Sequence, residues 1–250
     1  MKKRLLSAAV MIAVGLPCLI LGGWILRIFL TFIAFCMACE ITSIKFKENY
    51  IMTAGLFILI AGNLYTEFIP VWVLGIGLFV TIYSMMNSNY DQKDFFWILL
   101  TGLICSLALN YIFKFYYVHQ YLLIYAAGAS LICDAGAYFV GRKFGKHKMA
   151  PTISPKKTVE GAIGGIVIGT VAAFTFAVIV KIFSFEWYLV LALTFVLTVV
   201  SEVGDLYFSL VKRKYGIKDY GKLIPGHGGV LDRFDSVVFV VTVLGLILGL

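Results

Sequence analysis

Apolar runs follow one another along almost the whole chain, divided only by short polar breaks, and this alternation leaves few folds open. A helix needs about 20 apolar residues to cross the hydrocarbon of a bilayer, with a range of roughly 17–25. Cut at its polar breaks, the chain gives runs at approximately 5–20, 22–39, 51–62, 68–86, 95–113, 121–140, 160–181, 187–211 and 234–250. The expected fold is therefore all-α, a polytopic integral membrane helical bundle of about nine transmembrane helices. Eight is the fallback, because only Pro17 and the Gly22-Gly23 pair divide the first two runs and the third is short. Hydrophobic residues at 61% and charged residues at 14% stand far from the roughly 45–50% and about 25% of soluble domains. No Pro- or Ser-rich linker interrupts the chain, so it reads as a single membrane domain over 1–250. Its N-terminal hydrophobic half covers 1–120, and its chemistry is expected in a half from about 121 to 250.

Charge sets the orientation. Met1-Lys2-Lys3-Arg4 before an apolar run has the look of a secretory signal, but further apolar runs continue to the C-terminus and the segment is read as a first span. With the N-terminus inside, every Lys and Arg except Arg27, Lys114 and Lys181 falls in a cytoplasmic loop or tail, the asymmetry that orients membrane proteins. The expected location is the cell membrane, multi-pass, with the N-terminus and the active-site loops in the cytoplasm. The net charge of +8 sits in short loops beside membrane segments, so anionic lipid headgroups and nucleotide phosphates are the expected partners, and nucleic acid is not. Trp24, Trp72, Trp97 and Trp187 lie near predicted span ends, as interfacial anchors do. Cys18, Cys36, Cys39, Cys105 and Cys133 lie inside apolar runs and read as small apolar filler.

Two polar stretches carry the candidate chemistry. In the eighth run Ser201, Asp205, Ser209 and Lys212 recur at helical spacing and share one face, flanked by Glu202, with Gly204 allowing a neighbour to come near. An ionisable group within a span is costly and marks a functional site or a buried partner; for Asp205 the structural alternative is an ion pair with Arg213 or a lysine. Beyond that run, Ser209 to Asp235 holds six lysines and arginines, and Pro225-Gly226-His227-Gly228-Gly229 is a turn whose N–H groups suit an anion. Asp232 and Asp235, three apart in the expected first turn of the last helix, project together. With a third carboxylate they suit Mg²⁺, which takes carboxylate oxygens plus substrate phosphates; helix capping is the alternative, and the two are compatible.

The other basic loop, GRKFGKHKMAPTISPKKTVEGAIGG, combines six cations with the hydroxyls of Thr152, Ser154 and Thr158 and a helix start near Val159. That inventory suits phosphate. It lacks the GxxxxGK[ST] order and follows a membrane helix, which disfavours ordinary nucleotide hydrolysis. For Asp134, in the preceding span, buried pairing and substrate binding both remain open. Glu40, Glu67, Asp91 and Asp94 lie at or beside span ends and receive no chemistry.

The C-terminal residues resemble the phosphatidate cytidylyltransferases, or CDP-diacylglycerol synthases. That family's pattern is S-x-x-K-R-x4-K-D-x-G-x2-(L/I)-P-x-H-G-G-x-x-D-R-x-D. The chain supplies Ser209, Lys212, Arg213, Lys218, Asp219, Gly221, Ile224, Pro225, His227, Gly228, Gly229, Asp232, Arg233 and Asp235 in order. With the upstream Gly204-Asp205-Leu206 and the 141–161 loop, the similarity covers roughly 130–240; the first 120 residues share only hydrophobicity. The loop departs from the pattern at Ser154-Pro155-Lys156-Lys157-Thr158, where many relatives have Gly before the lysine.

The resemblance implies transfer of a cytidylyl group from CTP to phosphatidic acid, giving CDP-diacylglycerol and pyrophosphate. It implies Mg²⁺, with a K⁺ companion, held by Asp205 and Asp232, with Asp235 close by. Asp205, Asp232, Asp235, Lys212 and His227 are the expected catalytic residues. Ser209, Arg213, Lys218, Asp219, Gly228, Gly229, Arg233, Ser154, Lys157, Thr158 and Asp134 are the expected substrate contacts. Membrane lipids and a second copy in a homodimer are the implied partners. Two other classes stay open: a membrane transporter or lipid flippase, whose inverted repeats should appear as matching halves, and a CTP-dependent lipid kinase.

Overall fold

In a computed structural model, the described residues are 13–46, 49–66, 68–87, 91–224, 226 and 228–250. Residues 13–21 are helical (α1), followed by α2 (Gly23–Ser43), α3 (Tyr50–Gly62), α4 (Ile69–Met86), α5 (Gln92–Val118), α6 (Leu122–Phe144), α7 (Val159–Val180), α8 (Trp187–Lys214) and α9 (Leu231–Ile247). Among the described residues each expected apolar run is helical, and the fold is that of an all-α polytopic membrane protein. Among the described residues α2, α4, α5, α6, α7 and α8 are long and apolar enough to cross a membrane. α3, at 13 residues, spans only about 20 Å at ~1.5 Å per residue, less than the ~30 Å hydrocarbon core. Ile28, Leu74, Phe139 and Ile179 are exposed, which suits helices whose solvent is lipid.

The loop between α6 and α7 departs from a purely helical reading. It folds into a two-stranded antiparallel hairpin, β1 (Lys148–Ala150) and β2 (Ser154–Thr158), with Lys148 opposite Thr158 and Ala150 opposite Ser154. Glu160 fixes its base, accepting from the backbone N–H of Lys146 at 3.0 Å and bonding the His147 ring at 2.6 Å.

The helices fall into two compact units, interleaved in sequence: 1–113 with 215–234, and 114–214 with 235–250. In the first unit α2 packs on α3 and α3 on α4. Asn63, fully buried past the end of α3, donates to the carbonyl and hydroxyl of Ser106 at 3.2 and 3.1 Å, and accepts from Asn110 on its own carbonyl. Apolar packing gives little drive between helices in lipid, so such polar staples and close backbone approach matter more.

Close approach governs the second unit. Gly161, Gly165 and Gly169, four apart, form one face of α7 against α6; a Cβ at Gly165 would stand 2.6 Å from the Cys133 carbonyl oxygen and one at Gly161 2.8 Å from that of Ala137. A seam of hydroxyls ties α8 to these helices: Tyr125 to Thr194 at 2.7 Å, Ser130 to Ser201 at 2.9 Å and Thr170 to Thr198 at 2.9 Å. The neighbour that Gly204 admits is Phe239 of α9, 3.0 Å from where a Cβ would be.

Candidate active site

In the second unit the site is assembled around Lys157. Pairing with β1 carries β2 back to the C-terminal end of α6, and Thr158 then caps α7, its hydroxyl accepting from the Gly161 N–H at 3.2 Å. This delivers the Lys157 ammonium to α8, 2.6 Å from Glu202 Oε2 and 2.7 Å from Asp205 Oδ2. Burial disfavours the lysine's charge, but the Asp205 and Glu202 carboxylates outweigh it and hold the ammonium above its ordinary pKa. Glu202 is buried and also faces the Cys133 thiol, whereas Asp205 is partly open and accepts a long bond from Ser209 at 3.4 Å.

These groups line a cavity of about 390 Å³ whose walls include Asp134, Arg142, Lys156, Lys157, Thr158, Glu202 and Asp205. Asp134 lines the cavity and accepts from the Ser236 hydroxyl at 3.0 Å, so the pairing reading has its partner. Asp235 lies within electrostatic range of Asp205, Lys212 and Asp134, and Lys212 is buried in the last turn of α8. Arg213 donates to the Ile153 carbonyl at 3.1 Å, tying the end of α8 to the hairpin. Ser154 serves the hairpin register opposite Ala150.

In the first unit the 215–234 loop is organised by carboxylates. Asp232 Oδ2 accepts from the backbone N–H of Tyr220 at 2.7 Å and of Gly229 at 3.0 Å, so through these bonds Asp232 ties the turn ahead of α9 and does not cap the helix's own N–H groups. Gly228 adopts φ +91°, and a Cβ there would stand 2.9 Å from Asp232 Oδ2. Ile224 and Gly228 close the turn with reciprocal backbone bonds of 2.9 and 3.1 Å. Lys218, Asp219 and Arg233 are exposed. His227 lies outside the described residues.

Sequence reading missed two acids and misplaced a third. Glu40, read as a cheap charge at a span end, is buried and accepts from the Val230 and Leu231 N–H groups at 2.8 Å each. Asp94 is likewise buried, accepting from the Tyr215 hydroxyl at 2.7 Å with Lys45 3.9 Å away. Glu202, read as flanking the polar face, shares Lys157 with Asp205. The available signal was the cost of a carboxylate in an apolar run.

A polytopic helical protein with cations and carboxylates gathered around one cavity at a helix end is of the class of membrane-embedded proteins that handle anionic substrates. The chain belongs to the cytidylyltransferase family, whose sequence profile matches residues 2–250. It is 33% identical over 258 residues to a phosphatidate cytidylyltransferase of Staphylococcus saprophyticus subsp. saprophyticus, covering 99% of both chains. Proteins of the same name from Staphylococcus aureus strain COL and Staphylococcus epidermidis are 32% and 34% identical over 264 and 261 residues, again over 99% of both chains. The likeness first seen over roughly 130–240 therefore extends through the hydrophobic N-terminal half.

Proposed function

We propose that this chain transfers a cytidylyl group from CTP to phosphatidic acid, releasing pyrophosphate and leaving CDP-diacylglycerol in the membrane. Family membership supports the nucleotide chemistry and the relatives' names support the lipid acceptor. Within the molecule, the observation that carries the reading is the Lys157 ammonium held by Asp205 and Glu202 on the wall of the cavity that Arg142 and Lys156 also line.

An oxygen of the lipid phosphate attacks the α-phosphorus of CTP, forming the new P–O bond as the bond to pyrophosphate breaks on the opposite side. The attacking phosphate monoester has a second pKa near ~6 and is already largely ionised, so no strong base is required. The task left to the protein is to bring two polyanions into line and offset their repulsion. Lys157, Arg142 and Lys156 act on phosphate oxygens at the cavity. Lys212, Arg213, Lys218, Asp219 and His227 act on the triphosphate, with Ser209, Arg233, Ser154 and Thr158 as further contacts; the N–H groups of Gly228 and Gly229 are taken by Ile224 and Asp232, so these two glycines serve by letting the backbone come close. The second set rests on the sequence motif.

Among the described residues no group of three or more His, Cys, Asp or Glu side chains is arranged to hold a metal. The acids do fit Mg²⁺ held in the other manner, by one or two carboxylates plus substrate phosphates and water: Asp205 offers an oxygen whose hydrogen bond from Ser209 is long at 3.4 Å. The motif adds Asp232 as the second ligand, with K⁺ as a companion. When bound, the metal neutralises phosphate charge. The same resemblance supports a homodimer, which light scattering in detergent tests, and the distribution of Lys and Arg supports a cytoplasmic N-terminus in the cell membrane, which labelling of engineered loop cysteines in intact cells tests.

The deciding assay is α-labelled CTP with phosphatidic acid and the purified chain in detergent. Pyrophosphate and labelled CDP-lipid support the proposal. Release of CDP with phosphorylated lipid supports a lipid kinase, and absence of turnover favours a transporter.

A further inference from the structure

Glu40 stands on α2, remote in sequence from every motif residue, yet its carboxylate is aimed at the start of α9. The first N–H groups of a helix have no intrahelical acceptor and need a cap. Here Val230 sits at that position and has no polar side chain to offer. Glu40 supplies the acceptor from another helix, taking the N–H of Val230 on Oε1 and of Leu231 on Oε2, both at 2.8 Å. Its carboxylate also packs against the backbone of the glycine turn: a Cβ at Gly229 would lie 2.5 Å from Oε1, and one at Gly221 2.8 Å from it. Glu40 itself is 6% exposed. Asp232 bonds Gly229 and Tyr220 in the same turn, so the two carboxylates divide four consecutive or nearby N–H donors between them.

We infer that Glu40 is a positioning residue of the transfer reaction, setting the 219–231 turn, and with it the turn's triphosphate contacts, through a two-oxygen clamp on the first N–H groups of α9. The inference rests on the cytidylyl-transfer reading. A carboxamide at this position keeps the size but has one acceptor oxygen, and its NH₂ group confronts the second backbone donor. The turn then relaxes where the nucleotide phosphates bind, while the lipid-facing helices keep their contacts.

The test uses full-length Glu40→Gln and Glu40→Asp chains in detergent, scored for KM with each substrate and for hydrogen exchange of the backbone amides. In Glu40→Gln the amides of Val230 and Leu231 should exchange at least tenfold faster, with those of α7 unchanged. KM for CTP should rise at least fivefold while KM for phosphatidic acid stays within twofold, and Glu40→Asp, which keeps both oxygens, should recover part of the loss. A residue that merely supports the fold would lower the amount of active protein and move neither KM. An unchanged KM for CTP in Glu40→Gln overturns the positioning role, and unchanged exchange at Val230 and Leu231 overturns the clamp. Should the wild-type chain form no CDP-lipid, the cytidylyl-transfer reading fails and the positioning role falls with it, while the exchange result still decides the clamp.

Discussion

Replacing Lys157 by Met keeps an unbranched side chain one atom shorter and removes its charge, which leaves two carboxylates without their shared cation. Side-chain exposures are 19% for Lys157, 3% for Glu202 and 25% for Asp205, so the two acids do not suffer equally. Glu202 becomes a buried, uncompensated carboxylate, and breaking a buried pair in this way costs about 3–5 kcal/mol. Asp205 is screened by solvent and adds on the order of 1 kcal/mol or less. Since 1 kcal/mol moves the midpoint of a chain of this size by roughly 2–4 °C, Lys157→Met should melt ~6–24 °C below wild type, followed by intrinsic fluorescence in detergent. Adding Glu202→Gln removes the orphaned charge, so the double variant should recover most of the lost stability, and the cycle isolates the pair's coupling. Activity should stay low in both variants, because the cation facing the cavity is gone. A Lys157→Met chain that melts within about 2 °C of wild type, or a double variant less stable than Lys157→Met, refutes the reasoning.

Three further outcomes follow from the same geometry. Because the Asp205 and Glu202 carboxylates hold the Lys157 ammonium above its ordinary pKa, its contribution is complete below the unfolded-chain value of about 10.4 and is lost only as pH rises through the higher folded value. The melting gap between wild type and Lys157→Met should therefore stay constant from about pH 7 to about pH 10, and a gap that narrows in that window counts against the pair. Gly229→Ala drives a Cβ to 2.5 Å from Glu40 Oε1, whereas Gly77→Ala meets nothing within 4 Å; turnover with CTP and phosphatidic acid should fall at least ~10-fold in the first, and the second should match wild type. Asp232→Asn and Asp205→Asn should each cut turnover by about 100-fold or more with the protein still in the membrane, and near-normal turnover in either removes that residue from the metal.

The sequence made the helices legible because a span must be apolar over most of its length, and polar breaks mark its ends. It also made legible the cations of the 142–157 loop and the acid at Asp205, since charge in or beside a membrane is costly enough to be conspicuous. What it hid depends on long-range approach. Nothing local to Glu40 points to α9, 190 residues away along the chain, and no spacing rule pairs Lys157 with Glu202. The hairpin was hidden for another reason: Ser154 to Thr158 contains a proline and two adjacent lysines and has no alternating apolar pattern. The glycines of α7 were a missed opportunity, because Gly161, Gly165 and Gly169 at four-residue spacing are a recognised close-packing face in membranes.

In each unit a glutamate outside the family motif takes on the structural demand beside a motif aspartate. Glu202, the more buried partner, shares the Lys157 ammonium, so Asp205 is not that lysine's sole counter-ion and its other oxygen carries only a long bond to Ser209. Glu40 takes the two leading N–H groups of α9, which leaves Asp232 to bond the turn ahead of the helix in place of the helix end itself. A carboxylate that had to neutralise a buried lysine or cap a helix alone would be held in one geometry by that duty. In the proposed reaction, sharing the duty with a second acid would leave Asp205 and Asp232 able to meet a cation arriving with a substrate without the fold losing its own ion pair or turn contacts. On this argument, removal of either glutamate should harm catalysis through its aspartate, and for Glu40 the loss should fall on KM for CTP.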